Sequence, residues 1–242
     1  DLLPSMDNVL QRCKKAGVSK KNAMATRMDD YVGAVLNKLD ELRLREKTIV
    51  IFTSDHGSRG KNSVYEGGAK VPMMIEWPGM VEAASSCDSL IGNVDITATL
   101  IELAGGIPAS DVGEDSLSFA RQLTGKPEAK NWRDCMLIEA GNSKGVVSRD
   151  WKYIANRVTP QIEAAMTARP GEVFWTGLDH HNYQNERMYP SFWEADQLFD
   201  LKEDPYEQNN LAGNSKYADR LRAMQSKLSK YIQNMPHTFG EF

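Results

Sequence analysis

Residues 22–53 change from a helical to a strand-like pattern of hydrophobic positions. Over residues 22–44 the apolar side chains recur at steps of three and four, which is the spacing of one helical face. Residues 48–53 are β-branched and apolar almost without a break, as is typical of a strand buried on both faces of a parallel sheet. A helix that leads into such a strand predicts an α/β layered fold.

A second strand and a second helix are predicted further along this part of the chain. The apolar run at residues 71–77 stops at a Pro-Gly pair, which favours a turn. The apolar stretch 96–104 follows Asp95 and ends at two glycines, so we expect a helix there. Asp95 is interpreted as its N-cap and not as a catalytic acid, because an N-cap carboxylate accepts from the exposed first-turn amides.

The pattern changes near Trp132, and the rest of the chain predicts a different architecture. Residues 159–194 are rich in Pro, Gly, aromatic residues and His without a clear period, and they predict a long ordered loop. An amphipathic helix is expected from about residue 215 to residue 235. A small antiparallel sheet is expected from short apolar segments between polar turns, at residues 135–138, 145–148 and 151–154.

These patterns divide the chain into two parts. Residues 1–131 are predicted to belong to an α/β domain. Residues 132–242 are predicted to form a small antiparallel β subdomain with the long loop and the terminal helix.

Composition and charge exclude several classes of protein. The chain has 242 residues, 41% hydrophobic and 26% charged, enough to bury a sizeable core. Its 29 basic residues are dispersed among 33 acidic ones, so we expect no nucleic-acid partner. No apolar stretch reaches the roughly 20 residues of a membrane-spanning helix, and the first residues lack a signal-peptide pattern. A small or locally charged substrate is the better expectation.

The cysteines leave the redox compartment open. Cys13, Cys87 and Cys135 are odd in number and widely spaced, without a Cys-x-x-Cys pair that would indicate zinc or redox chemistry. One disulfide with a free thiol and three free thiols both fit this pattern.

The candidate chemistry lies directly after the first predicted strand. Asp55 and His56 follow the strand, and Gly57 allows the chain to turn away sharply. Ligands of open α/β sheets bind outside the carboxyl ends of the strands. A carboxylate and an imidazole at such a place suit a divalent metal. Taken alone, a turn-forming Asp beside a hydrogen-bonded His fits the pair as well.

The segment that follows carries a series of short motifs. They are Gly60-Lys61, Tyr65-Glu66-Gly67-Gly68, Val71-Pro72 and Trp77-Pro78-Gly79. In order, spacing and residue type, residues 48–79 resemble the sulfatase family of the alkaline-phosphatase-like superfamily. Further similarity covers most of the chain, most firmly residues 22–106 and 197–211.

The resemblance implies a fold and site residues. The expected fold is a partial alkaline-phosphatase-like mixed sheet with flanking helices, plus a small C-terminal antiparallel sheet and a terminal helix. Asp55 and His56 match the positions that bind the active-site cation, usually Ca²⁺, with Mg²⁺ or Mn²⁺ as alternatives. Lys61 matches the catalytic lysine that contacts the sulfate and the leaving oxygen. A cation and an ammonium stabilise the charge on a transferring sulfuryl group.

The nucleophile of the family is not in this chain. Sulfatases attack sulfur with formylglycine, made from Cys or Ser in a Cys/Ser-x-Pro/Ala-x-Arg motif, and no such motif occurs in the 242 residues. The resemblance implies that the formylglycine and further Asp ligands lie upstream, in an N-terminal half, and the start without Met suggests processing or omitted upstream sequence. The chain alone is expected to be inactive and to self-associate through an exposed sheet edge.

The resemblance also implies a substrate and a location. The expected substrate is a sulfated small molecule or carbohydrate, and the expected location is periplasmic, secreted or lysosomal. A phosphonate or phosphate monoester hydrolase of the same superfamily is the alternative enzyme. A non-catalytic remnant or binding module is the alternative from another class.

Other residues have a functional and a plain interpretation. His180 and His181 would contact a sulfated sugar or bind metal, or they are an exposed loop pair. Gly67 and Gly68 are interpreted as structural positions that tolerate positive φ. A sugar-stacking platform is weighed against packing of the loop for four aromatic residues, Trp175, Tyr183, Tyr189 and Trp193.

Overall fold

The computed structural model describes residues 4–107, 115–169, 183–233 and residue 235. His180 and His181, and Trp175 of the aromatic group, lie outside these ranges. The chain divides into two compact units. One consists of Asp1–Ile51 and Ile75–Ser85, and the other of Phe52–Met74 and Ser86–Phe242. The predicted domain boundary near residue 132 stays a prediction.

The first unit contains a pair of helices, α1 (Met6–Lys15) and α2 (Ala23–Glu41). The helix predicted over residues 22–44 is confirmed by α2, whereas α1 was not predicted. Helix α1 begins at Ser5, whose side chain accepts from the Asn8 amide at 3.3 Å. A small core holds this unit together, formed by Val9, Cys13 and Ala23.

The apolar face of α2 is largely exposed in this chain. Met24, Met28 and Val35 are 65%, 50% and 56% exposed. Only Ala23 of this helix is buried. The apolar positions that predicted the helix therefore form a face that the other described residues do not cover.

Strands β1 (Val50–Thr53) and β2 (Met73–Glu76) pair as a two-stranded sheet. The sequence predicted both strands at these places. It also predicted full burial of the first strand, and this was wrong, because all four residues of β1 are only half-buried. A wider sheet with layers on both faces would be needed to bury them.

Three short or medium helices follow in the second unit: α3 (Glu66–Ala69), α4 (Asp95–Leu103) and α5 (Ala120–Leu123). The prediction of Asp95 as an N-cap was wrong. Val94 precedes the helix without a side-chain cap, and Asp95 is its first residue. The fully buried Asp95 carboxylate accepts from the amides of Gly92 and Leu117, both at 2.8 Å, and pairs with Arg133. It ties the helix start to two loops.

The predicted antiparallel sheet is confirmed and has four strands, β3 (Met136–Ala140), β4 (Ser143–Val147), β5 (Trp151–Asn156) and β6 (Asp196–Asp200). Their order in the sheet is the order along the chain. Gly145 lies opposite Ile154 between β4 and β5, and Ile154 lies opposite Gln197 of β6.

The two faces of this sheet bury separate cores. Tyr153 and Ala155 of β5 belong to one cluster, and Ile154 between them belongs to the other, as the strand period of two requires. The terminal helix α8 (Ala218–Ile232) covers the first face with Met224 and Leu228. Tyr65, Tyr189 and other apolar side chains cover the second face.

The prediction of residues 159–194 as a long loop was wrong for the described part. Residues 160–168 form helix α6 (Pro160–Ala168), and residues 183–188 form α7 (Tyr183–Met188). Thr159 caps α6 by accepting from the Ile162 amide at 3.4 Å, and Pro160 is its first residue, two start signals that the sequence contains.

Two further properties concern the described residues as a whole. None of their helices combines the length and the apolar character that crossing a membrane requires. Cys13, Cys87 and Cys135 are free thiols, which decides between the two alternatives that their spacing left open.

Candidate functional site

The candidate site begins where β1 ends, in the second unit. The Ser54 hydroxyl donates to the His56 carbonyl oxygen at 2.8 Å, so the chain turns at once after the strand. The Gly57 amide then donates to the Gly68 carbonyl oxygen at 2.8 Å. A Cβ at Gly57 would overlap the Gly67 carbonyl, so only glycine allows this approach.

The glycines of the Tyr-Glu-Gly-Gly motif serve the same backbone contact. The Arg59 amide donates to the Gly67 carbonyl oxygen at 3.1 Å. A Cβ at Gly67 would overlap the Arg59 carbonyl, and one at Gly68 would overlap the Gly60 carbonyl. Their structural role agrees with the sequence interpretation, but the reason differs. Neither glycine has positive φ, and close approach of two backbone segments is what excludes a side chain.

Asp55 and His56 lie side by side at the tip of this turn. The Oδ2 atom of Asp55 is 3.7 Å from the Nε2 atom of His56. The other ring nitrogen, Nδ1, lies 2.8 Å from the Gly57 carbonyl oxygen. Because a carbonyl oxygen only accepts, Nδ1 carries a proton in this hydrogen bond, and Nε2 is the ring nitrogen that is left to bind a cation.

This geometry fits two donors of one divalent cation. Metal–ligand distances of about 2.0–2.6 Å allow neighbouring donors to lie about 3–4 Å apart. A histidine that binds a metal commonly donates its second ring N–H to a backbone carbonyl, as His56 does to Gly57. The Asp55 side chain is 83% exposed and that of His56 is 37% exposed, so both are accessible to an ion.

The donor set in this chain is only part of a cation site. No cluster of three or more His, Cys, Asp or Glu side chains suited to a metal occurs within the described ranges. A calcium ion takes six to eight oxygen ligands, and Mg²⁺ takes six. Asp55 and His56 therefore fit a cation only together with ligands from elsewhere.

Lys61 lies on the same loop, four residues after Gly57, with its side chain exposed. Its backbone is held firmly, since the buried side chain of Asn185 donates to the Lys61 carbonyl oxygen at 3.0 Å. The flanking Asn62 has a left-handed φ of 62°. Among the described residues the Lys61 ammonium forms no ion pair, so it is free to meet an anion. The structure brings Asp55 and His56 together and shows no direct contact of Lys61 with them.

The buried ammonium of Lys152 connects this loop to the antiparallel sheet. The fully buried Lys152 donates to the Val64 carbonyl oxygen at 3.0 Å and pairs with Glu66 at 2.7 Å and Glu207 at 2.9 Å. Glu207 also accepts from the Glu66 amide at 2.6 Å. Burial raises the pKa of Glu207, and the charge of Lys152 opposes this effect. The network ties the Tyr-Glu-Gly-Gly motif to β5.

An aromatic stack completes the support. The rings of Tyr65 and Tyr189 are parallel, with centroids 3.7 Å apart, and the Tyr65 hydroxyl donates to Gln197 at 2.6 Å. Burial raises the pKa of Tyr65, and it raises the pKa of Tyr189 to about 12, so both phenols are neutral near pH 7. Tyr189 packs in the core, while Trp193 is partly exposed and donates to Glu186 at 3.0 Å.

Sequence reasoning missed the residues that position the site. Asn93 donates to the Ser54 carbonyl oxygen at 2.9 Å and accepts from the Thr53 hydroxyl at 3.1 Å. Nothing in the local pattern of Asn93 or Asn185 signals these long-range bonds. Lys152 carried a signal, because a charged residue in the middle of an apolar strand is almost never buried without a partner.

The chain matches a protein family over the segment that contains this site. The family model described as Sulfatase matches residues 5–107. This match supports the sulfatase resemblance that the motifs in residues 48–79 indicated. The match includes α1, α2, both strands of the small sheet, and Asp55, His56 and Lys61.

Curated sulfatases resemble more of the chain. An ulvan-active sulfatase of Formosa agariphila is 30% identical over 202 residues, covering 80% of this chain and 38% of that protein. An N-acetylgalactosamine-6-O-sulfatase of Bacteroides thetaiotaomicron is 28% identical over 223 residues, covering 82% of this chain and 39% of that protein. The chain thus spans less than half the length of these sulfatases.

Solved structures confirm the mixed α/β, alkaline-phosphatase-like fold. One protein was solved in complex with its substrate D-glucosamine-2-N,6-O-disulfate. Its structure matches this chain with a TM-score of 0.66 at 21% identity, covering 87% of this chain and 39% of that one. The phosphonate monoester hydrolase of Agrobacterium radiobacter has a TM-score of 0.62 at 21% identity, covering 88% and 40%. At these identities the likeness concerns the fold alone.

Proposed function

We propose that this chain is a portion of a sulfuric ester hydrolase to which it contributes two cation ligands and an anion-binding lysine. The observation that carries the proposal is the pairing of Asp55 Oδ2 with His56 Nε2 at 3.7 Å, inside the segment that matches the sulfatase family. The second ring nitrogen of His56 is already engaged by a carbonyl, so the Nε2 lone pair is directed for binding.

The residues of this chain have distinct roles in the proposed site. Asp55 and His56 hold the cation, and a bound divalent cation stabilises negative charge on a sulfate oxygen. Family resemblance favours Ca²⁺, with Mg²⁺ and Mn²⁺ as alternatives. Lys61 places its ammonium near the sulfate and the leaving oxygen, where charge develops in the reaction. The nucleophile is expected to be a formylglycine outside these 242 residues.

The proposed substrate is the sulfate ester of a carbohydrate. Support comes from the relative named N-acetylgalactosamine-6-O-sulfatase, which is similar to 82% of this chain. No described residue is assigned to sugar recognition, and the role considered for His180 and His181 stays a prediction.

Phosphonate monoester hydrolysis is the second candidate function, because the fold of such an enzyme matches 88% of the chain. The sulfatase proposal has more support, since the family match over residues 5–107 contains the candidate site. A binding module without catalysis is the alternative outside the enzymes. It predicts that the cation pair has no affinity above that of a surface carboxylate.

Cation binding tests the proposal directly. Manganese is paramagnetic, so titration with Mn²⁺ alone should broaden the imidazole NMR signals of His56 at concentrations that leave those of free histidine, added as a reference, sharp. The chain contains only four histidines, and His56→Gln assigns the signal. Asp55→Asn removes the carboxylate charge and should weaken Mn²⁺ binding at least about ten-fold.

The matched control is Asp88→Asn, which removes a carboxylate from an exposed residue outside the site. It should leave the broadening of His56 unchanged. Equal broadening of His56 in wild type and Asp55→Asn would contradict the proposal.

A further inference from the structure

Asn93 lies at the end of β1 without being part of the sheet. It follows Gly92 and precedes α4, and its side chain reaches back over about 40 residues of sequence to two consecutive residues. Its Nδ2 atom donates to the Ser54 carbonyl oxygen at 2.9 Å, and its Oδ1 atom accepts from the Thr53 hydroxyl at 3.1 Å. A single amide therefore clamps the last strand residue and the residue that follows it.

The clamped carbonyl has a direct geometric consequence. The Ser54 carbonyl belongs to the peptide group that joins Ser54 to Asp55, and that group is planar. A hydrogen bond to its oxygen restrains the orientation of that plane, and thereby the backbone position from which the Asp55 side chain extends. The Ser54 hydroxyl carries the constraint one residue further, to the His56 carbonyl at 2.8 Å.

The other hydrogen bonds of the turn restrain the donor groups themselves or the residue after them. The Ser54 hydroxyl lies 3.5 Å from Asp55 Oδ1, His56 Nδ1 donates to the Gly57 carbonyl oxygen at 2.8 Å, and the Gly57 amide donates to Gly68. Asn93 restrains the backbone before the donor pair. Together they fix the turn at both ends, which is how a pair of exposed donors keeps a defined separation.

We propose that Asn93 is a positioning residue for the cation donors Asp55 and His56. The inference rests on the proposed function, because it concerns the cation site of that function. Asn93 acts through the Ser54–Asp55 peptide group and does not itself touch the reacting atoms.

The test separates a positioning role from a merely structural one. Asn93 is exposed, so Asn93→Ala should lower the unfolding temperature by less than about 3 °C. The same change should weaken Mn²⁺ binding about ten-fold, because residues that orient metal ligands contribute about that much to affinity. Both are measured on the full chain, with broadening of the His56 signals reporting Mn²⁺ and circular dichroism reporting unfolding.

Two further variants locate the effect. Thr53→Val removes only the bond to Asn93 Oδ1 and should change affinity by less than about three-fold, because the clamp on Ser54 remains. Asn209→Ala, which truncates an exposed asparagine after β6, is the matched control and should bind Mn²⁺ as wild type does. Asn93→Ser is a second substitution with a smaller change in polarity.

The outcomes distinguish this inference from the proposed function. If Asp55→Asn weakens Mn²⁺ binding and both Asn93 variants bind as wild type does, the positioning role is overturned and the cation site stands. If Asp55→Asn has no effect, the proposed cation site fails and the inference with it. If both Asn93 variants lower the unfolding temperature by more than about 5 °C, Asn93 is structural and the positioning role is overturned.

Discussion

At the scale of single residues, Lys152 is the most consequential charge in the described chain. Its ammonium is fully buried and faces two carboxylates and one carbonyl oxygen, on residues 64, 66 and 207. Removing one partner of a buried pair leaves the others desolvated without compensation. Lys152 therefore couples the motif beside the candidate site to the C-terminal sheet.

Lys152→Met should lower the free energy of unfolding by about 3–5 kcal/mol, since it leaves Glu66 and Glu207 facing each other in the interior. Urea unfolding followed by circular dichroism measures the loss. Lys70→Met is the matched control, because Lys70 pairs with the same Glu66 at 3.6 Å but is 77% exposed. The control should cost less than about 1 kcal/mol, and an equal loss in both variants would contradict the account.

The pH dependence of this loss follows from Glu207. Burial raises the pKa of Glu207 and Lys152 lowers it, so Lys152→Met should raise that pKa further. A carboxyl whose pKa is raised on folding stabilises the protein fully below its unfolded pKa, and this stability is lost as the pH rises through the folded pKa. The destabilisation by Lys152→Met should therefore be smallest near about pH 4 and grow toward about pH 8. A difference independent of pH would refute the role of Glu207.

At the scale of elements, the sequence predicted the helices and strands that have a clear local pattern of apolar residues. Helix α2, the two strands β1 and β2, the antiparallel sheet and α8 follow from periodicity and lie within a few residues of the predictions. Helices α6 and α7 were missed because aromatic and Pro-Gly residues around them masked a short period. The cap role of Asp95 was wrong because the deciding partner, Arg133, is 38 residues away.

In the candidate site, too, the sequence predicted the residues with a local signal and missed those that depend on long-range contacts. Asp55, His56 and Lys61 were predicted by their position after a strand and by family resemblance. The side chains that hold them, Asn93 and Asn185, bond across 39 and 124 residues of sequence. Such contacts depend on the tertiary fold, and no local pattern of hydrophobicity or charge contains them.

The backbone contact between the two glycine segments gives an element-scale prediction. Gly68→Ala should destabilise the fold by about 1–3 kcal/mol, because the new Cβ would overlap the Gly60 carbonyl. Gly33→Ala in the middle of α2 is the opposite case, with no atom within 4 Å of the new Cβ. It should stabilise by about 0.5–1 kcal/mol. Thermal unfolding of both variants measures the contrast. Gly68 and Gly33 both lie in helices, so helix propensity alone would make both alanine variants more stable. A stabilised Gly68→Ala would therefore contradict the prediction.

At the scale of the whole molecule, apolar side chains of α2 are exposed, and the strand that the sequence predicted to be buried is only partly covered. Met24, Met28 and Val35 of α2 are each at least half exposed, and β1 is only half-buried. The chain spans less than half of the sulfatases it matches. Open apolar faces of this kind favour association.

We expect the isolated chain to self-associate in sedimentation experiments. Replacing Met28 and Val35 with Lys together should shift the distribution toward monomer, since it charges the exposed face of α2. Tyr206→Lys changes an apolar residue of the second unit that is 75% exposed, and it serves as the control. A wild-type chain that is monomeric at all concentrations would contradict the prediction.

The central proposal is that the Asp55 carboxylate, the His56 imidazole and the Lys61 ammonium act together at the end of β1. Mn²⁺ bound to the first two groups would broaden the signal of Lys61, because paramagnetic broadening falls very steeply with distance. The measurement is an Mn²⁺ titration of the chain labelled with ¹³C at lysine Cε, with Lys61→Met assigning the signal. The account predicts that Lys61 broadens together with His56, at Mn²⁺ concentrations that leave Lys227 sharp, and that Asp55→Asn shifts both effects to at least about ten-fold higher Mn²⁺. Broadening of His56 while Lys61 stays as sharp as Lys227 would contradict it.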